Sequence, residues 1–376
     1  MQCLDKAELQ NKSVLVRVDY NVPLDDNLNI TSTKRIDATM HTIDYLLKQN
    51  CKIVLCSHLG RPQGKVDSLL SLKPVYEYLK TIYGDIVFFC STCIGDEAQK
   101  SKKALKNGEI LLLENLRFDA REEQNSEDFA KDLAKEVDVY VDEAFAVSHR
   151  QSASNCAIKN LLPCYIGFNY DKEIQALTLK DKKPPILAIL GGAKVSDKIE
   201  LISSLIDKVD AIFIGGALAN TFLYALGYNV NTQTIEQDKI DVAKSVLQKA
   251  LTQNKKIVLP QDVVVLCSNG EVCEKGIDIL GTNDVCYDIG EKSVQELQGL
   301  IDRANTIFWN GPLGNVKMSQ FAKATQDIIY ALADSKAYTI IGGGDTIAEV
   351  EKYNMQDKMN FVSTGGGASL KYIQRG

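Results

Sequence analysis

Short apolar runs rich in valine, isoleucine and leucine recur along the whole chain, separated by longer stretches of mixed polar and apolar residues. Within each run the apolar residues are continuous rather than alternating, which is typical of strands buried on both faces of a parallel sheet. The pattern predicts eleven strands, at residues 14–18, 52–56, 85–89, 109–113, 138–141, 185–190, 211–214, 256–259, 306–309, 338–341 and 360–363.

The stretches between these runs have the features of helices. Residues 73–80 place a proline near the first turn, and residues 126–135 begin with a serine and two acids and end with lysine. Strands that alternate with helices over the full length are typical of α/β proteins with doubly wound parallel sheets. Because five strands precede residue 150 and six follow residue 183, the pattern favours two such domains.

The segment between the two groups of strands, residues 170–183, is charged, has helical character and contains no strand-like run. We interpret it as an interdomain helix. The predicted organisation is an N-terminal domain at 1–169, this helix at 170–183, a C-terminal domain at 184–362 and a terminal segment near the hinge at 363–376.

The composition of the chain disfavours several classes of protein. The 376 residues include 43 Lys and Arg against 49 Asp and Glu, a net charge of −6, which lacks the basic footprint of a nucleic-acid-binding protein. No apolar run approaches the roughly 20 residues needed to span a bilayer, and the first ten residues lack the pattern of a secretory signal. We therefore expect a cytoplasmic protein that binds neither nucleic acid nor membrane.

Ten cysteines are spread over the chain, several of them within or beside apolar runs, as at Cys56, Cys90 and Cys267. A free cysteine behaves as a small buried hydrophobe, so we interpret these as reduced core residues. The single C-x-x-C, Cys90 to Cys93, leaves a redox pair or half a zinc site as the alternative. With no second C-x-x-C and only three histidines, the structural interpretation is favoured.

The residues that follow the strands are informative because ligands of open α/β sheets bind beyond the carboxyl ends of the strands. In the first half these ends are polar and basic, and Arg35 joins them from the start of a helix. Guanidinium groups match phosphate and carboxylate oxygens, so several of them at one edge predict a small polyanionic substrate. Surface salt bridging is the less favoured alternative. The residues in question are Arg17, Asp19, Asn21, Arg35, His58, Arg61, Arg117 and Arg150.

In the second half the strands end in glycines, at 191–192, 215–216, 311, 342–344 and 365–367. Glycines let backbone N–H groups approach phosphates, and helix N-termini present such groups to anions. Lys194 and Lys198 are spaced to share one helix face, and Asp345 is placed to hold Mg²⁺ on a nucleotide. Five glycine ends in one half of the chain therefore predict a nucleotide site.

Two common phosphate motifs are excluded. The segment GRPQGKV at 60–66 has three residues between its glycines and ends in valine, whereas a Walker A motif has four and ends in Ser or Thr. No G-x-G-x-x-G follows the first strand, so neither a P-loop enzyme nor a standard dehydrogenase is predicted.

Seven segments together resemble the phosphoglycerate kinase family, in the order that family has them. They are RVDYNVP at 17–23, SHLGRP at 57–62, LLENLRF at 112–118, GGAKVSDKI at 191–199, WNGPLG at 309–314, GGGDT at 342–346 and STGGGASL at 363–370. The resemblance implies two Rossmann-like domains, the N-terminal one binding 3-phosphoglycerate and the C-terminal one an adenine nucleotide with Mg²⁺. It also implies a monomer that transfers a phosphoryl group reversibly between 1,3-bisphosphoglycerate and ADP by domain closure.

The resemblance further implies a role for individual residues, with Arg35 and Lys198 as the catalytic pair and Asp345 as the metal ligand. The substrate side would consist of Asp19, Asn21, Arg35, His58, Leu59, Gly60, Arg61, Arg117 and Arg150. The nucleotide side would consist of Lys194, Lys198, Gly215, Gly216, Gly342, Gly343, Gly344, Asp345 and Thr346.

An alternative is a turnover-impaired homologue that acts as a nucleotide- or partner-binding protein. Two features favour it. Lys317 stands where the family usually has a glutamate for the ribose hydroxyls, and the sequence stops at Gly376. The basic and glycine-rich motifs favour the active enzyme.

Overall fold

The computed structural model describes residues 1–375. The chain forms two compact units, an N-terminal unit at Met1–Gln175 and a C-terminal unit that begins at Ala176. Each unit contains its own parallel sheet, flanked by helices.

The N-terminal unit is built on seven strands, which pair in the order β1-β7-β6-β2-β3-β5-β4 with every neighbouring pair parallel. The strands are β1 (Gln2–Cys3), β2 (Ser13–Arg17), β3 (Lys52–Cys56), β4 (Val87–Cys90), β5 (Ile110–Leu113), β6 (Val139–Asp142) and β7 (Cys164–Ile166). The helices are α1 (Lys34–Asp37), α2 (Met40–Lys48), α3 (Lys73–Tyr83), α4 (Gly95–Ala104), α5 (Ala120–Glu123), α6 (Glu127–Ala134) and α7 (Phe168–Leu177), the last of which runs across the unit boundary.

The continuous apolar runs are explained by burial on both faces of this sheet. In β2, Val14 and Val16 belong to one hydrophobic cluster, whereas Leu15 belongs to the cluster on the opposite face. The same division occurs in β3, where Ile53 and Val54 lie in different clusters. A strand in this position has no solvent-facing side, so every position is apolar.

The C-terminal unit contains a six-stranded parallel sheet, in the order β10-β9-β8-β14-β15-β16, and a three-stranded antiparallel sheet, in the order β12-β11-β13. The strands are β8 (Ile186–Leu190), β9 (Ala211–Ile214), β10 (Lys256–Val258), β11 (Asp262–Leu266), β12 (Val272–Gly276), β13 (Val285–Ile289), β14 (Thr306–Asn310), β15 (Tyr338–Gly342) and β16 (Phe361–Val362). The helices are α8 (Ile199–Leu205), α9 (Gly216–Ala225), α10 (Ile240–Thr252), α11 (Glu291–Arg303), α12 (Lys323–Asp334), α13 (Gly344–Lys352) and α14 (Gly367–Arg375).

The predicted fold class is confirmed, and all eleven predicted strands are present within one or two residues of their expected bounds. The sequence reasoning missed β1 and β7, which are only two and three residues long, and the whole antiparallel sheet. The strand β12 reads VCEKG and is largely exposed, so it lacks the apolar signature used for the others. The segment 170–183 contains most of α7 and a short 3₁₀ turn at Leu179–Asp181, and its role as an interdomain helix stays a prediction.

All ten cysteines are free thiols, and the two members of the C-x-x-C, Cys90 and Cys93, are both buried. Cys56 is buried as expected, but Cys267 is only half-buried, because it follows the end of β11 rather than lying inside it. Among residues 1–375, no helix is both long enough and apolar enough to cross a membrane.

The strand order of both parallel sheets creates a point at which the direction of winding reverses. In the N-terminal unit this point lies between β2 and β6, and in the C-terminal unit it lies between β8 and β14. The crevice at the carboxyl ends of such a strand pair is where ligands of open α/β sheets bind. The fold therefore provides one candidate ligand crevice in each unit.

A buried lysine joins two helices of the N-terminal unit. Lys102 of α4 donates hydrogen bonds from Nζ to the carbonyl oxygens of Leu133 (2.7 Å) and Lys135 (3.2 Å), at the end of α6. The last carbonyls of a helix lack intrahelical partners and attract cations, which explains the pairing. Burial lowers the pKa of Lys102 to about 8.

This shift predicts a pH dependence of stability. A lysine in the unfolded chain titrates near 10.4, so between pH 8 and about 10.4 the unfolded state binds more protons and the free energy of unfolding rises with pH. We expect the unfolding free energy of the wild type, relative to Lys102→Met, to rise by on the order of 3 kcal/mol across this window. Denaturant titrations of both proteins at several pH values measure it, and parallel pH profiles would contradict the prediction.

Candidate functional site

The carboxyl ends of β2 and β3 bring a set of charged side chains together. Arg17, the last residue of β2, is buried and donates from Nε to Ser154 Oγ (3.0 Å), while its NH2 lies 3.1 Å from His58 Nδ1. Asp19 accepts a hydrogen bond from Arg35 NH1 at 2.7 Å, and its other oxygen lies 3.9 Å from His58 Nδ1. The start of α1 and the ends of two strands thus meet at one place.

His58 lies at the centre of this set and is 2% exposed. Burial lowers its pKa well below the ordinary value, and Arg17, Arg117, Arg150 and Arg35 lower it further. The imidazole is therefore neutral at physiological pH. Because Nδ1 faces a guanidinium donor, Nδ1 acts as acceptor and Nε2 carries the proton.

A loop after β3 is fixed next to this histidine by polar contacts. Gly60 donates its N–H to Asn21 Oδ1 (2.9 Å), and its carbonyl accepts from Arg117 NH1 (2.7 Å). Leu59 is buried, and its N–H donates to Asn115 Oδ1 (3.2 Å). These contacts hold Asn21 and Arg117 at the same strand edge as His58.

Most of the predicted substrate residues lie near one another at this strand edge, and Arg61 is the exception. Arg117 is buried, and burial lowers its pKa, with Arg150 and Arg17 adding to the effect although Glu123 opposes it. Arg150 therefore lies within electrostatic reach of both His58 and Arg117. Arg61 is exposed and next to Gly60, and among residues 1–375 it makes no hydrogen bond or ion pair with the other charged side chains of this site.

Two supporting residues were missed by the sequence reasoning. Ser154, which holds Arg17, itself donates from Oγ to Glu122 Oε1 (2.6 Å), and its N–H donates to Glu122 Oε2 (2.9 Å). The chain Glu122–Ser154–Arg17 orients the guanidinium toward His58. No spacing in the sequence relates these three residues, since Ser154 lies 137 positions from Arg17.

The corresponding crevice of the C-terminal unit is formed mainly by backbone. Gly191, after β8, donates its N–H to the carbonyl of Asn310 (3.0 Å), and Gly192 donates to that of Pro312 (3.0 Å). A Cβ on Gly191 would collide with the carbonyl oxygens of Gly311 and Pro312, and one on Gly311 would collide with that of Gly191. Gly311 also has φ of +98°. Two loops thus approach backbone to backbone, which only glycine permits.

Lys198 lies beside this junction. Its Nζ contacts the carbonyl oxygen of Asn310 at 3.3 Å and also Asn310 Oδ1. Burial lowers the pKa of Lys198 to about 8, against the opposing effect of Asp197 and Asp345. Asp345 is therefore close enough to interact with Lys198. Lys194 is exposed, and both lysines precede α8, so the prediction that they share one helix face is wrong.

Asn310 is a candidate binding residue that was not predicted. It is 2% exposed, and its Nδ2 has no hydrogen-bond partner among residues 1–375, although it lies against Gly343. A buried amide without an acceptor is costly, so this donor is available to a ligand oxygen. Its place at the end of β14, inside the WNGPLG segment, is the signal that sequence reasoning could have used.

Two helices begin at the same edge. Helix α9 follows Gly215 and starts at Gly216. Helix α13 starts at Gly344, and only Gly343 separates it from the buried Gly342 at the end of β15. The first N–H groups of a helix lack intrahelical partners and favour anions. In α13, the buried Thr346 accepts a hydrogen bond from the N–H of Gly311 (2.6 Å), which ties this helix to the loop after β14.

The residues present fit a magnesium ion carried by a nucleotide better than an all-protein metal site. Within residues 1–375 no group of three or more His, Cys, Asp or Glu side chains is arranged to hold a metal. Asp345 is an exposed carboxylate at the start of α13. Mg²⁺ bound with phosphates typically uses only one or two protein carboxylates, so Asp345 is a suitable donor.

Comparison with known proteins decides the family. The phosphoglycerate kinase family model matches residues 4–375. The chain belongs to the phosphoglycerate kinase family. As a phosphoglycerate kinase it is a glycolytic phosphotransferase that acts on the carboxyl group of 3-phosphoglycerate, so the predicted family and enzyme activity are confirmed.

Curated phosphoglycerate kinases and solved structures agree with this assignment. The chain is 44% identical to the phosphoglycerate kinase of Finegoldia magna and 43% identical to that of Moorella thermoacetica, in each case over 99% of this chain and 95% of the relative. The structure of the enzyme from Coxiella burnetii matches with a TM-score of 0.91 at 35% identity, covering 99% of this chain and 95% of that one. The enzyme from Pyrococcus horikoshii matches with a TM-score of 0.82 at 30% identity, covering 100% and 96%.

The close approach of the loops after β8 and β14 predicts that a methyl group added at Gly311 weakens nucleotide binding. In Gly311→Ala the new methyl group meets the carbonyl of Gly191 and an unfavourable φ, so the loops after β8 and β14 must separate. We expect Mg–ADP affinity to fall at least about tenfold, as the loss of 1.4 kcal/mol or more implies. Calorimetry measures it. Gly299→Ala is the control, because a Cβ there is 3.7 Å from the nearest atom of Arg303. Equal affinities in both variants would contradict the prediction.

Proposed function

We propose that the charged cluster of the N-terminal unit binds 3-phosphoglycerate or 1,3-bisphosphoglycerate, and that the glycine-rich edge of the C-terminal unit binds the adenine nucleotide with Mg²⁺. The observation that carries this proposal is the convergence of charged side chains at the carboxyl ends of β2 and β3. Arg17 NH2 lies 3.1 Å from Nδ1 of the buried His58, and Arg35 pairs with Asp19. Arg117 and Arg150 lie within electrostatic reach of the same histidine. Such a concentration of positive charge in a protein of net charge −6 fits a small anion with several charged oxygens.

On the substrate side, Arg35, Arg61, Arg117 and Arg150 bind the phosphate and carboxylate oxygens. His58 donates from Nε2, because its Nδ1 is directed to Arg17. Asp19 and Asn21 bind the substrate hydroxyl group, and the backbone of Leu59 and Gly60 completes the site, held in place by Asn115 and Arg117.

On the nucleotide side, Lys194 and Lys198 bind the phosphates together with Asn310 Nδ2 and the first N–H groups of α9 and α13. The glycines at this edge allow the nucleotide to approach the backbone; they are Gly215, Gly216, Gly342, Gly343 and Gly344. Asp345 would hold Mg²⁺, and Thr346 orients the start of α13. When bound, Mg²⁺ neutralises charge on the nucleotide phosphates.

Phosphoryl transfer between two oxygens needs charge stabilisation and alignment more than covalent chemistry. Arg35 is suited to stabilise the transferring group because it is 38% exposed and held by Asp19, and Lys198 is suited to follow it from the nucleotide side. The two ligands bind to different units, whereas in-line transfer requires reacting atoms about 3 to 3.5 Å apart. Closure of the units is therefore part of the proposal, and it also excludes water that would hydrolyse the acyl phosphate.

The remaining features of the proposal are a cytoplasmic, monomeric enzyme without nucleic-acid or membrane partners. The net negative charge supports the absence of nucleic-acid partners, and the free thiols are what a reducing compartment such as the cytoplasm favours. The monomer is implied by the family resemblance. The family match and the curated relatives favour the active enzyme over a turnover-impaired homologue.

The direct test of activity is ATP formation from 1,3-bisphosphoglycerate and Mg–ADP in a coupled assay. Sustained turnover that requires both substrates is expected. Binding of Mg–ADP by calorimetry without any turnover would contradict the proposal and support the binding-protein alternative.

A variant of Arg35 tests the catalytic assignment. We expect Arg35→Ala to lower kcat by about 10²- to 10³-fold, because one preorganised charge is removed from the developing charge of the transition state. Arg35→Lys should recover part of this loss, since it keeps the charge but not the planar fork. Arg121→Ala is the control, because Arg121 pairs with Asp119 at 2.7 Å outside the cluster. A near wild-type kcat in Arg35→Ala would refute the assignment.

A further inference from the structure

Lys194 and Lys198 lie on one short loop, residues 191–198, which we call the lysine loop. A glutamate distant in sequence makes hydrogen bonds to this loop. Glu236 accepts a hydrogen bond from the N–H of Ser196 at Oε2 (3.0 Å) and one from Ser196 Oγ at Oε1 (2.6 Å). Both oxygens of this carboxylate therefore accept hydrogen bonds from Ser196, which lies between Lys194 and Lys198.

The contact lies in the turn at residues 195–198, which leads into α8. The carbonyl of Val195 accepts from the N–H groups of Lys198 (2.9 Å) and Ile199 (2.8 Å), so the helical turn begins at Val195. N–H groups at such a position lack a carbonyl partner within the helix, and a carboxylate satisfies them. Burial raises the pKa of Glu236, but hydrogen bonds from the side chain and backbone of Ser196 and from the backbone of Val195 outweigh it, and the pKa is lowered.

Glu236 is itself anchored to the helix that forms the other side of the edge. Its N–H donates to Oγ1 of Thr221 (3.1 Å), a buried residue of α9. The same helix holds the other end of the lysine loop, because the N–H of Leu218 donates to the carbonyl of Gly192 (2.9 Å). The loop is thus fixed to α9 at Gly192 directly and at Ser196 through Glu236.

The geometry points to Glu236 as a positioning residue for nucleotide phosphate binding. Through Ser196 it holds the turn before α8, and with it the loop that carries Lys194 and Lys198 at the glycine-rich edge. This inference rests on the proposed nucleotide site. Glu236 does not contact the nucleotide; it orders the loop before binding, so that less conformational entropy is lost when the phosphates arrive.

The test compares steady-state constants of Glu236→Ala, Glu236→Gln and Ser196→Ala with the wild type. Glu236→Ala loses the charge-assisted hydrogen bonds to Ser196, so we expect its KM for Mg–ADP to be about tenfold higher than that of the wild type. The KM for 1,3-bisphosphoglycerate should stay within about twofold, because its site lies in the other unit and its contacts are unchanged. Glu236→Gln, which keeps one acceptor oxygen, should show a smaller rise, and adding Ser196→Ala to Glu236→Ala should cost little more, because the two residues form one contact.

Asp238→Asn is the matched control. Asp238 lies two residues away and is exposed, and it pairs with its neighbour Lys239 at 2.8 Å. We expect wild-type constants for this variant. Hydrogen exchange of residues 193–199 should be faster in Glu236→Ala than in Asp238→Asn, because the turn loses its hydrogen bonds to the Glu236 carboxylate.

Three results would overturn the inference: a lower Tm of Glu236→Ala with an unchanged KM for Mg–ADP, an equal rise of both KM values, or tighter Mg–ADP binding. If Glu236→Ala does not fold, Ser196→Ala, at an exposed position, gives the same comparison. Calorimetry of Lys198→Ala with Mg–ADP separates this test from that of the proposed function. Wild-type affinity in Lys198→Ala would contradict the nucleotide site itself, whereas a loss there with none in Glu236→Ala would contradict only the role of Glu236.

Discussion

A parallel sheet buried on both faces has room for polar chemistry only where its strands end, and this constraint shapes both units. In β2 and β3 every central side chain is packed into one of two hydrophobic clusters, so the first polar groups occur at Arg17 and beyond Cys56. The carboxyl ends of neighbouring strands lie side by side, and residues far apart in the chain therefore meet there. The two units use the same edge in different ways: one collects guanidinium groups, and the other collects backbone N–H groups and glycines.

The charged cluster of the N-terminal unit concentrates positive charge at one edge of the sheet. Four guanidinium groups lower the pKa of one buried histidine, and like charges in a partly buried site repel one another, so the cluster is suited to an anion. Internal acceptors, namely Ser154, the carbonyl of Gly60 and the carboxylate of Asp19, hold the guanidinium groups in place. Their positions are thus fixed without a ligand, and in the proposed function this reduces the cost of reorganisation during phosphoryl transfer.

Much of this could be predicted from the sequence, because the strands are marked by continuous apolar runs and the residues after them carry the chemistry. The antiparallel sheet could not, since the exposed strand β12 has no apolar pattern. The residues that support the sites were missed for another reason. Ser154 lies 137 positions from Arg17, and Glu236 lies 40 positions from Ser196. Only the folded chain brings such pairs together.

The central claim is that each ligand is bound by its own unit, and hydrogen exchange with one ligand at a time tests it most directly. The account predicts that 3-phosphoglycerate alone protects amides at 17–21, 57–62 and 115–118, and that Mg–ADP alone protects those at 191–198, 310–314 and 342–346. Protection of the N-terminal segments by Mg–ADP alone, or of the glycine-rich segments by 3-phosphoglycerate alone, would contradict it.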